Sequence, residues 1–343
     1  MIKKDILEIE WEINNDCNFN CLYCCTSGHR QDPKFQAKLL DYNKIIESFY
    51  AIAASVRIRI TGGEPFLYPN FVKLCRGLTE KHTLMINTNI SSPLIKEFCQ
   101  QVNPARVEMM QCSVHYTEVK RLNLMDTVIS NIKLIKEQGF PYFVLMVLWP
   151  PLLKDFPDIY NFFLEHDIRI IARPFKGLYN NKLYPLAYSL EEKALISKYQ
   201  AQAEAKKLTT RAHLDRDYSF MAFSVDSYNY SYHGNYCRAG KDFVVVAPNG
   251  NIGRCYDEKY QLGNIFEQTF TPLSKAVKCH KPNCVCGAAG LNYTIGNPHC
   301  LSDIVVDSSY RKRHKKGPLR VFLKKNLPIQ FINIYKKYKK AFE

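Results

Sequence analysis

The stretch "ILEIEWEINNDCNFNCLYCCTSG", residues 6–28, joins two patterns that decide the fold. Its first eight residues alternate apolar and polar side chains, which predicts a β-strand with one buried face. Four cysteines follow within nine positions, and three of them, Cys17, Cys21 and Cys24, are spaced by three and then two residues. Cys25 follows directly and stands outside that spacing. This stretch is therefore predicted to be a strand that leads into a cysteine loop.

Beyond this strand, apolar runs of strand length alternate with segments of helical spacing. Strands are predicted at residues 56–60, 83–87, 106–114, 142–149 and 168–175, and helices at residues 41–55, 70–81, 92–102, 126–138 and 155–166. Alternating strands and helices predict a parallel sheet with right-handed crossovers. Six such units fall short of a full barrel, so we expect an α/β fold, a partial (β/α)6 TIM-like barrel.

Beyond residue 218 the sequence pattern changes to short predicted strands, Gly/Asn turns and cysteines. A polar helix predicted at 190–207 closes the part before this change. We therefore expect three parts. They are a barrel at 1–215, a small cysteine-rich auxiliary-cluster domain at 216–305 and a basic helical tail at 306–343.

Composition limits the class of protein. The 343 residues are 46% hydrophobic and 23% charged, as in an ordinary globular protein. The N-terminus lacks the apolar segment of a signal peptide, and no apolar run is long enough to span a bilayer. These features predict a cytoplasmic protein. Because thiols stay reduced in that compartment, the 13 cysteines indicate metal ligation rather than disulfides.

The cysteine loop suits an iron–sulfur cluster better than zinc, since no second C-x-x-C pair lies nearby to close a four-ligand zinc site. Three thiolates would leave one iron of a four-iron cluster open. The segment "CNFNCLYC", with Cys17, Cys21, Cys24 and the aromatic Tyr23, resembles the CxxxCxxC motif of the radical SAM superfamily. The resemblance implies a [4Fe-4S] cluster whose open iron binds S-adenosylmethionine and cleaves it reductively to a 5′-deoxyadenosyl radical.

A second motif supports the same family. The segment "TGGEP", residues 61–65, ends the second predicted strand and resembles the GGEP turn of radical SAM enzymes. Glycines permit close approach of a backbone. The resemblance implies that Gly62, Gly63, Glu64 and Pro65 bind S-adenosylmethionine, with the Glu64 carboxylate on the methionine ammonium. The alternative is a strand-to-helix turn without a ligand.

Further candidates lie at the ends of later strands. The resemblance implies that Asn87, in "NTN", and Ser113, in "CSVH", contact the cofactor. His115 stands where relatives often carry aspartate and is a candidate catalytic residue, the alternative being a hydrogen-bonded loop histidine. Arg173 could bind a carboxylate or phosphate, or form a surface salt bridge instead. The other cysteines of this part are expected to be core residues: Cys25, Cys75, Cys99 and Cys112.

Six more cysteines lie in the C-terminal part: Cys237, Cys255, Cys279, Cys284, Cys286 and Cys300. A hairpin predicted around "FVVVAPNGN" brings the first two together. The segment resembles the opening of SPASM and twitch extensions, which implies an auxiliary iron–sulfur cluster. The later spacing departs from the two-cluster pattern, so one auxiliary [4Fe-4S] cluster is preferred over two. A four-cysteine zinc site is the structural rival.

The tail carries most of the net charge. From Ser308 onward there are twelve basic residues against one acid, which gives +11 of the total +15. Its apolar residues recur at helical spacing, and a basic amphipathic helix suits an anionic membrane surface. Peripheral placement on the inner face of the membrane is then the alternative location. Docking on the protein's own barrel, a partner protein and nucleic acid are rival roles, and the nearly neutral body disfavours nucleic acid.

These features predict a radical SAM enzyme that abstracts hydrogen from a small polar substrate, such as a sugar, an aminocyclitol or a lipid-linked glycan. Oxidation, dehydration and epimerisation are the expected outcomes. A reducing partner such as flavodoxin or ferredoxin would supply the electron. The alternative is maturation of a ribosomally made peptide by a crosslink, a thioether or epimerisation. It is less favoured because no separate peptide-recognition domain fits before the first strand. A non-enzymatic metal-binding scaffold is a third hypothesis.

Overall fold

The computed structural model describes residues 6–24, 40–52, 55–205, 230–256, 258–280 and 299–300. Four predictions therefore lie outside the described residues, those for Cys25, Cys284, Cys286 and the tail at 306–343. None of the described helices is long and apolar enough to cross a membrane.

Six parallel strands form the centre of the structure. The strands are β1 (Glu8–Asn14), β2 (Arg57–Gly62), β3 (Thr83–Thr88), β4 (Val107–Ser113), β5 (Tyr142–Leu148) and β6 (Ile170–Pro174). The helices are α1 (Tyr42–Tyr50), α2 (Phe71–Lys81), α3 (Ile95–Gln101), α4 (Tyr116–Arg121), α5 (Met125–Glu137), α6 (Phe156–Glu165) and α7 (Leu190–Ala205), with 3-10 turns at Pro65–Leu67, Pro104–Arg106 and Pro150–Asp155. Each strand pairs in parallel with the next along the chain. The predicted partial barrel is confirmed.

Local differences occur at helix ends. The helix predicted from Ser92 begins at Ile95, because the Ser92 hydroxyl accepts a hydrogen bond from the Leu94 amide at 3.2 Å and caps a turn before the helix. The first helix ends at Tyr50 rather than at residue 55. The short helix α4 is not predicted from the sequence. It lies directly after His115 and positions part of the site.

The remaining strands are β7 (Gly177–Tyr179), β8 (Lys182–Tyr184), β9 (Tyr230–Ser231), β10 (Tyr236–Cys237), β11 (Phe243–Val246), β12 (Asn251–Cys255), β13 (Glu258–Asn264), β14 (Val277–Lys278) and β15 (His299–Cys300). Three of them, β11, β12 and β13, continue the barrel sheet on the far side of β1. The predicted hairpin is present as β11 and β12. β11 pairs in parallel with β1, with Val244 opposite Ile9, so the sheet has nine strands in the order β13-β12-β11-β1-β2-β3-β4-β5-β6.

The two faces of β1 differ in chemistry. Ile9 and Trp11 on one face pack with the helices in the main hydrophobic core. Since side chains alternate along a strand, the opposite face points into the barrel. That face carries Glu8, Glu10 and Glu12.

Ion pairs close the lower part of the barrel interior, near the start of the strands. Arg57 and Arg59 lie 3.3 and 3.1 Å from the carboxylate of Glu8. Arg57 also pairs with Glu108 at 2.7 Å, and the Thr83 hydroxyl donates to Glu108 at 2.7 Å. Opposite charges therefore lie in contact here, which offsets part of the cost of removing them from water. The carboxyl ends of the strands are left to form the functional site.

Candidate functional site

The cysteine loop leaves β1 at the carboxyl end of the sheet. Cys17, Cys21 and Cys24 are all half-buried. The sulfur of Cys17 accepts hydrogen bonds from the Phe19 amide at 3.4 Å and from Asn89 Nδ2 at 4.0 Å. The Cys24 amide donates to the Cys21 carbonyl at 3.1 Å and closes a turn between those two cysteines. Donors aimed at a sulfur favour its thiolate form, which is the form that binds metal.

The protein alone does not favour a thiolate at Cys21. Burial raises the pKa of the Cys21 thiol to about 12, and the negative charges of Glu118, Cys17 and Cys24 raise it further. A bound cation reverses this preference, because a coordinating thiol is deprotonated. No three His, Cys, Asp or Glu side chains among the described residues are grouped closely enough for a single metal ion. A four-iron cluster binds each cysteine through a different iron and so needs a wider spacing.

Two glycines let the "GGEP" turn lie against the chain that enters the cysteine loop. A Cβ atom on Gly62, which has φ of 134°, would lie 2.3 Å from the Asn14 carbonyl oxygen. One on Gly63 would lie 2.0 Å from the Asp16 carbonyl oxygen. The Gly63 amide donates to the Asn14 carbonyl at 2.9 Å, and the Glu64 amide donates to the Asp16 carbonyl at 2.7 Å. The two glycines therefore allow the turn to pack directly against the backbone that enters the cysteine loop.

The Glu64 side chain is almost fully buried. Its Oε1 accepts from the Thr88 hydroxyl at 2.8 Å and from the Phe66 amide at 3.1 Å, and its Oε2 accepts from the Asn89 amide at 2.7 Å. Burial raises the pKa of Glu64 to about 7, although these donors lower it. The sequence suggested a carboxylate turned towards a ligand. In the structure both oxygens bind the protein and tie the end of β2 to the end of β3.

Asn14 supplies an acceptor that the sequence analysis did not single out. Its Nδ2 donates to the Glu64 carbonyl at 3.1 Å. Its Oδ1 is buried and has no hydrogen-bond partner among the described residues. A buried acceptor without a donor is costly, so a ligand amino group at this turn would satisfy it. The residues present therefore fit a cofactor with an amino group, such as S-adenosylmethionine. In the sequence, the only indication of a role for Asn14 is its position as the last residue of the strand before the cysteines.

The "NTN" motif lies at the end of β3, next to the cysteine loop. Asn87 lies half-buried on β3. Asn89 Nδ2 donates to Asn18 Oδ1 at 2.8 Å, and Asn18 Nδ2 donates to the Ser91 hydroxyl at 2.9 Å. This network holds the cysteine loop against the end of β3. The contacts of Asn89 are not predicted from the sequence, and the role of Asn87 at the cofactor stays a prediction.

His115 contacts the cysteine loop directly. Its Nδ1 and the Tyr23 hydroxyl lie 3.1 Å apart in a hydrogen bond, and the Phe19 ring meets it edge-on at 6.1 Å. Burial lowers the pKa of His115 to about 4, so the ring is neutral at pH 7. These contacts match the hydrogen-bonded loop histidine, and they place the ring beside the predicted cluster.

Glu118 of α4 is a further anchor of the cysteine loop and carries no motif. Its Oε2 accepts a hydrogen bond from the Asn20 amide at 2.8 Å. Arg121 bonds the same oxygen at 2.7 Å and holds the pKa of Glu118 below its usual value, mainly through that hydrogen bond. A charged acceptor therefore fixes the backbone between the first two cysteines. Only the fold brings the helix and the loop together.

The two other predicted residues, Ser113 and Arg173, lie at the ends of β4 and β6. Gln111 Nε2 donates to the Ser113 hydroxyl at 3.3 Å. Arg173 pairs in the sheet with Val147, on the face opposite the main core. Its charge lowers the pKa of Glu10 across the barrel interior. Both residues therefore lie on the face of the sheet that points into the barrel.

The second cysteine group forms a hydrogen-bonded unit around Arg254. This guanidinium donates to the Cys237 carbonyl at 3.5 Å and to the Val277 carbonyl at 3.1 Å, and Arg254 itself precedes Cys255. Cys279 follows the short strand that contains Val277. The fold thus brings the chain at three of the six predicted ligands into one region. Cys300 lies on β15, opposite Tyr230 of β9.

Among the described residues, none of the following cysteines forms a disulfide bond: Cys17, Cys21, Cys24, Cys75, Cys99, Cys112, Cys237, Cys255 and Cys279. The prediction that Cys75, Cys99 and Cys112 belong to the core is confirmed.

One family model matches the N-terminal part of the chain. Residues 11–163 match the profile of the radical SAM superfamily. The chain is similar to the AdoMet-dependent heme synthase of Methanosarcina barkeri, with 20% identity over 286 residues that make up 77% of this chain and 81% of that protein. It is also similar to a probable GTP 3′,8-cyclase of Methanocaldococcus jannaschii, with 22% identity over 56% of this chain and 68% of that protein.

Two solved structures have a similar fold. One is anSMEcpe with bound AdoMet, with a TM-score of 0.54, 18% sequence identity, and coverage of 77% of this chain and 76% of that one. The other is Streptococcus suis SuiB bound to S-adenosylmethionine, with a TM-score of 0.51, 18% identity, and coverage of 76% and 64%. At such identity the likeness concerns the fold alone.

Proposed function

Residues 11–163 are a radical SAM domain, and from this premise we propose that the chain abstracts hydrogen from a small polar substrate bound inside the partial barrel. Members of this superfamily are enzymes that use a [4Fe-4S] cluster and S-adenosylmethionine. When bound, these groups supply a 5′-deoxyadenosyl radical. The protein supplies binding, orientation and exclusion of water.

The cluster would be held by Cys17, Cys21 and Cys24. The Phe19 amide and Asn89 donate to the Cys17 sulfur and stabilise its negative charge. These hydrogen bonds orient the loop before the cluster binds. S-adenosylmethionine would then lie at the turn formed by Gly62, Gly63, Glu64 and Pro65, with Asn87 and Ser113 on neighbouring strand ends.

The observation that carries the substrate proposal is the polar lining of the barrel interior near the carboxyl ends of the strands. Glu10 and Glu12 of β1, Ser113 of β4 and Arg173 of β6 share this interior. The ion pairs around Glu8 close the interior below them. Polar side chains that converge in an enclosed site fix the orientation of a small ligand through hydrogen bonds and charge.

An auxiliary cluster would lie at the second cysteine group, with Cys237, Cys255 and Cys279 among its ligands. Tyr256 follows Cys255 directly and donates a hydrogen bond from its hydroxyl to Glu10 at 3.2 Å. This contact joins the auxiliary unit to the barrel interior. An auxiliary cluster bound by Cys255 would therefore lie one residue along the chain from a side chain that contacts the barrel interior.

Anaerobic reconstitution tests the proposed function. After reduction with dithionite, the protein should convert S-adenosylmethionine to 5′-deoxyadenosine, measured by chromatography. Alanine at Cys17, Cys21 or Cys24 should abolish the product and lower the bound iron. The matched control is Cys99→Ala, which changes a cysteine on α3 that has no proposed ligand role. Absence of 5′-deoxyadenosine from the reduced, iron-loaded wild type would contradict the proposal.

A further inference from the structure

The three glutamates on the interior face of β1 have different surroundings. Glu8 is neutralised by Arg57 at 3.3 Å and by Arg59 at 3.1 Å. Glu10 and Glu12 form no ion pair with a described lysine, arginine or histidine. The first glutamate is therefore part of the framework, whereas the next two present carboxyl groups that the described protein does not neutralise by contact.

Glu10 has one unused oxygen. Its Oε1 accepts the hydrogen bond from the Tyr256 hydroxyl at 3.2 Å. Its Oε2 is buried and has no hydrogen-bond partner among the described residues. A buried carboxylate oxygen without a donor is strongly unfavourable. A bound group that brings a donor would remove this penalty.

Glu12 lies two residues further along the same face and is only 5% exposed. Burial raises its pKa to about 7, and the charge of Glu10 raises it further, while the Tyr256 hydroxyl lowers it. Burial also raises the pKa of Glu10, against the lowering effect of the positive charges on Arg59 and Arg173. The negative charge of Glu8 also raises the pKa of Glu10. The two carboxyls therefore disfavour their charged forms until a cation joins them.

The pair lies next to the predicted cofactor turn. In the sheet register Glu12 is opposite Thr61, the residue that precedes Gly62. Tyr256, whose hydroxyl contacts Glu10, is itself 40% exposed. A group bound there would sit between the radical source and the auxiliary unit.

We propose that Glu10 and Glu12, together with Tyr256, bind a positively charged amine of a small-molecule substrate inside the barrel. This inference rests on the proposed function, because it places the substrate in that interior. An ammonium group has three N–H donors and no acceptor, which matches two carboxyls and their unused oxygen. A neutral hydroxyl could donate one hydrogen bond but would bring no positive charge to the two carboxyls.

The test uses the anaerobically reconstituted holoenzyme and ethylammonium chloride as the probe. The dissociation constant of ethylammonium is obtained at pH 8 from the rise in the unfolding temperature of the protein. Sodium chloride at equal ionic strength is the blank. Glu12→Gln should weaken ethylammonium binding about tenfold, because it removes one charge-assisted hydrogen bond. Glu165→Gln, an exposed change at the end of α6, should bind as the wild type does. Equal binding by Glu12→Gln and the wild type, or none by the wild type, overturns the inference.

A second measurement needs no variant. Ethylammonium stays protonated between pH 8 and pH 6, while the carboxyl of Glu12, whose pKa burial raises to about 7, takes up a proton. The wild type should therefore bind the probe several-fold more weakly at pH 6. Affinity that is unchanged over this range would count against the two glutamates as the binding groups.

The source of the amine is decided with two larger probes. Glucosamine should stabilise the wild type more than N-acetylglucosamine does, because acetylation removes the charge. Stabilisation by the tripeptide Gly-Lys-Gly, with no effect of glucosamine, would overturn the small-molecule assignment. These binding results are independent of turnover. Absence of 5′-deoxyadenosine would contradict the proposed function and leave the amine measurement interpretable.

Discussion

Replacing Gly63 by alanine should separate the cofactor turn from the cysteine loop. The new Cβ would lie 2.0 Å from the Asp16 carbonyl oxygen, a distance that real Cβ contacts do not reach. The contacting oxygen belongs to the backbone, so rotating a side chain cannot relieve the contact. The turn and the loop must move apart by about 1.4 Å, from 2.0 Å to 3.4 Å, to restore an ordinary contact.

The cost follows from what that movement breaks. The hydrogen bonds from the Gly63 amide at 2.9 Å and from the Glu64 amide at 2.7 Å both cross the same gap. Their loss should lower the free energy of unfolding by about 2 kcal/mol. A displacement of about 1 Å between a cofactor site and its reactive partner can lower the rate about 100-fold. We expect Gly63→Ala to retain the fold and lose most S-adenosylmethionine cleavage.

The assay compares bound iron and the rate of 5′-deoxyadenosine formation after reconstitution. Gly253→Ala is the matched control, because a Cβ there would lie 3.7 Å from its nearest neighbour, an ordinary contact. Circular dichroism checks that both variants are folded. A Gly63→Ala protein that cleaves S-adenosylmethionine within about threefold of Gly253→Ala would refute the argument that the glycine is needed for contact with the loop.

Three further changes test other parts of the site and its support. Glu64→Gln places an amide NH2 opposite the Asn89 N–H, so the free energy of unfolding in urea should fall by about 1–3 kcal/mol; an unchanged midpoint would contradict this. Glu118→Gln weakens the acceptor for the Asn20 amide, so iron should be lost to a chelator several-fold faster, with unchanged circular dichroism. Burial lowers the pKa of His82 from 6.5 to about 4, so its unfolded form binds a proton that the folded form rejects. Acidification from pH 7 to pH 5 should therefore lower the free energy of unfolding by about 2 kcal/mol, and His82→Gln should remove that part of the pH dependence.

Local patterns were sufficient for the barrel. Periodicity located all six parallel strands, and motif spacing selected the cysteine loop and the "GGEP" turn. Both signals depend on residues that are close in sequence. The misplaced start of α3 has the same origin, because Ser92 is a good capping residue for a turn as well as for a helix.

Contacts between distant segments explain what the sequence did not reveal. Glu10 and Glu12 alternate with apolar residues exactly as solvent-facing side chains of a strand would, and only closure of the sheet turns them inward. Glu118 has no motif, because its role depends on a helix meeting a loop almost a hundred positions away in the chain. The pairing of β11 with β1 likewise leaves no local pattern.

That pairing has a consequence for any attempt to produce the barrel alone. A chain cut near residue 215 would lack β11 and would expose the backbone N–H and C=O groups of β1 that now pair with Phe243 to Val246. A bare edge of this kind recruits strands from other molecules. We therefore expect the shortened protein to self-associate. A charged substitution on its surface would not prevent this, because the groups that pair between molecules belong to the main chain.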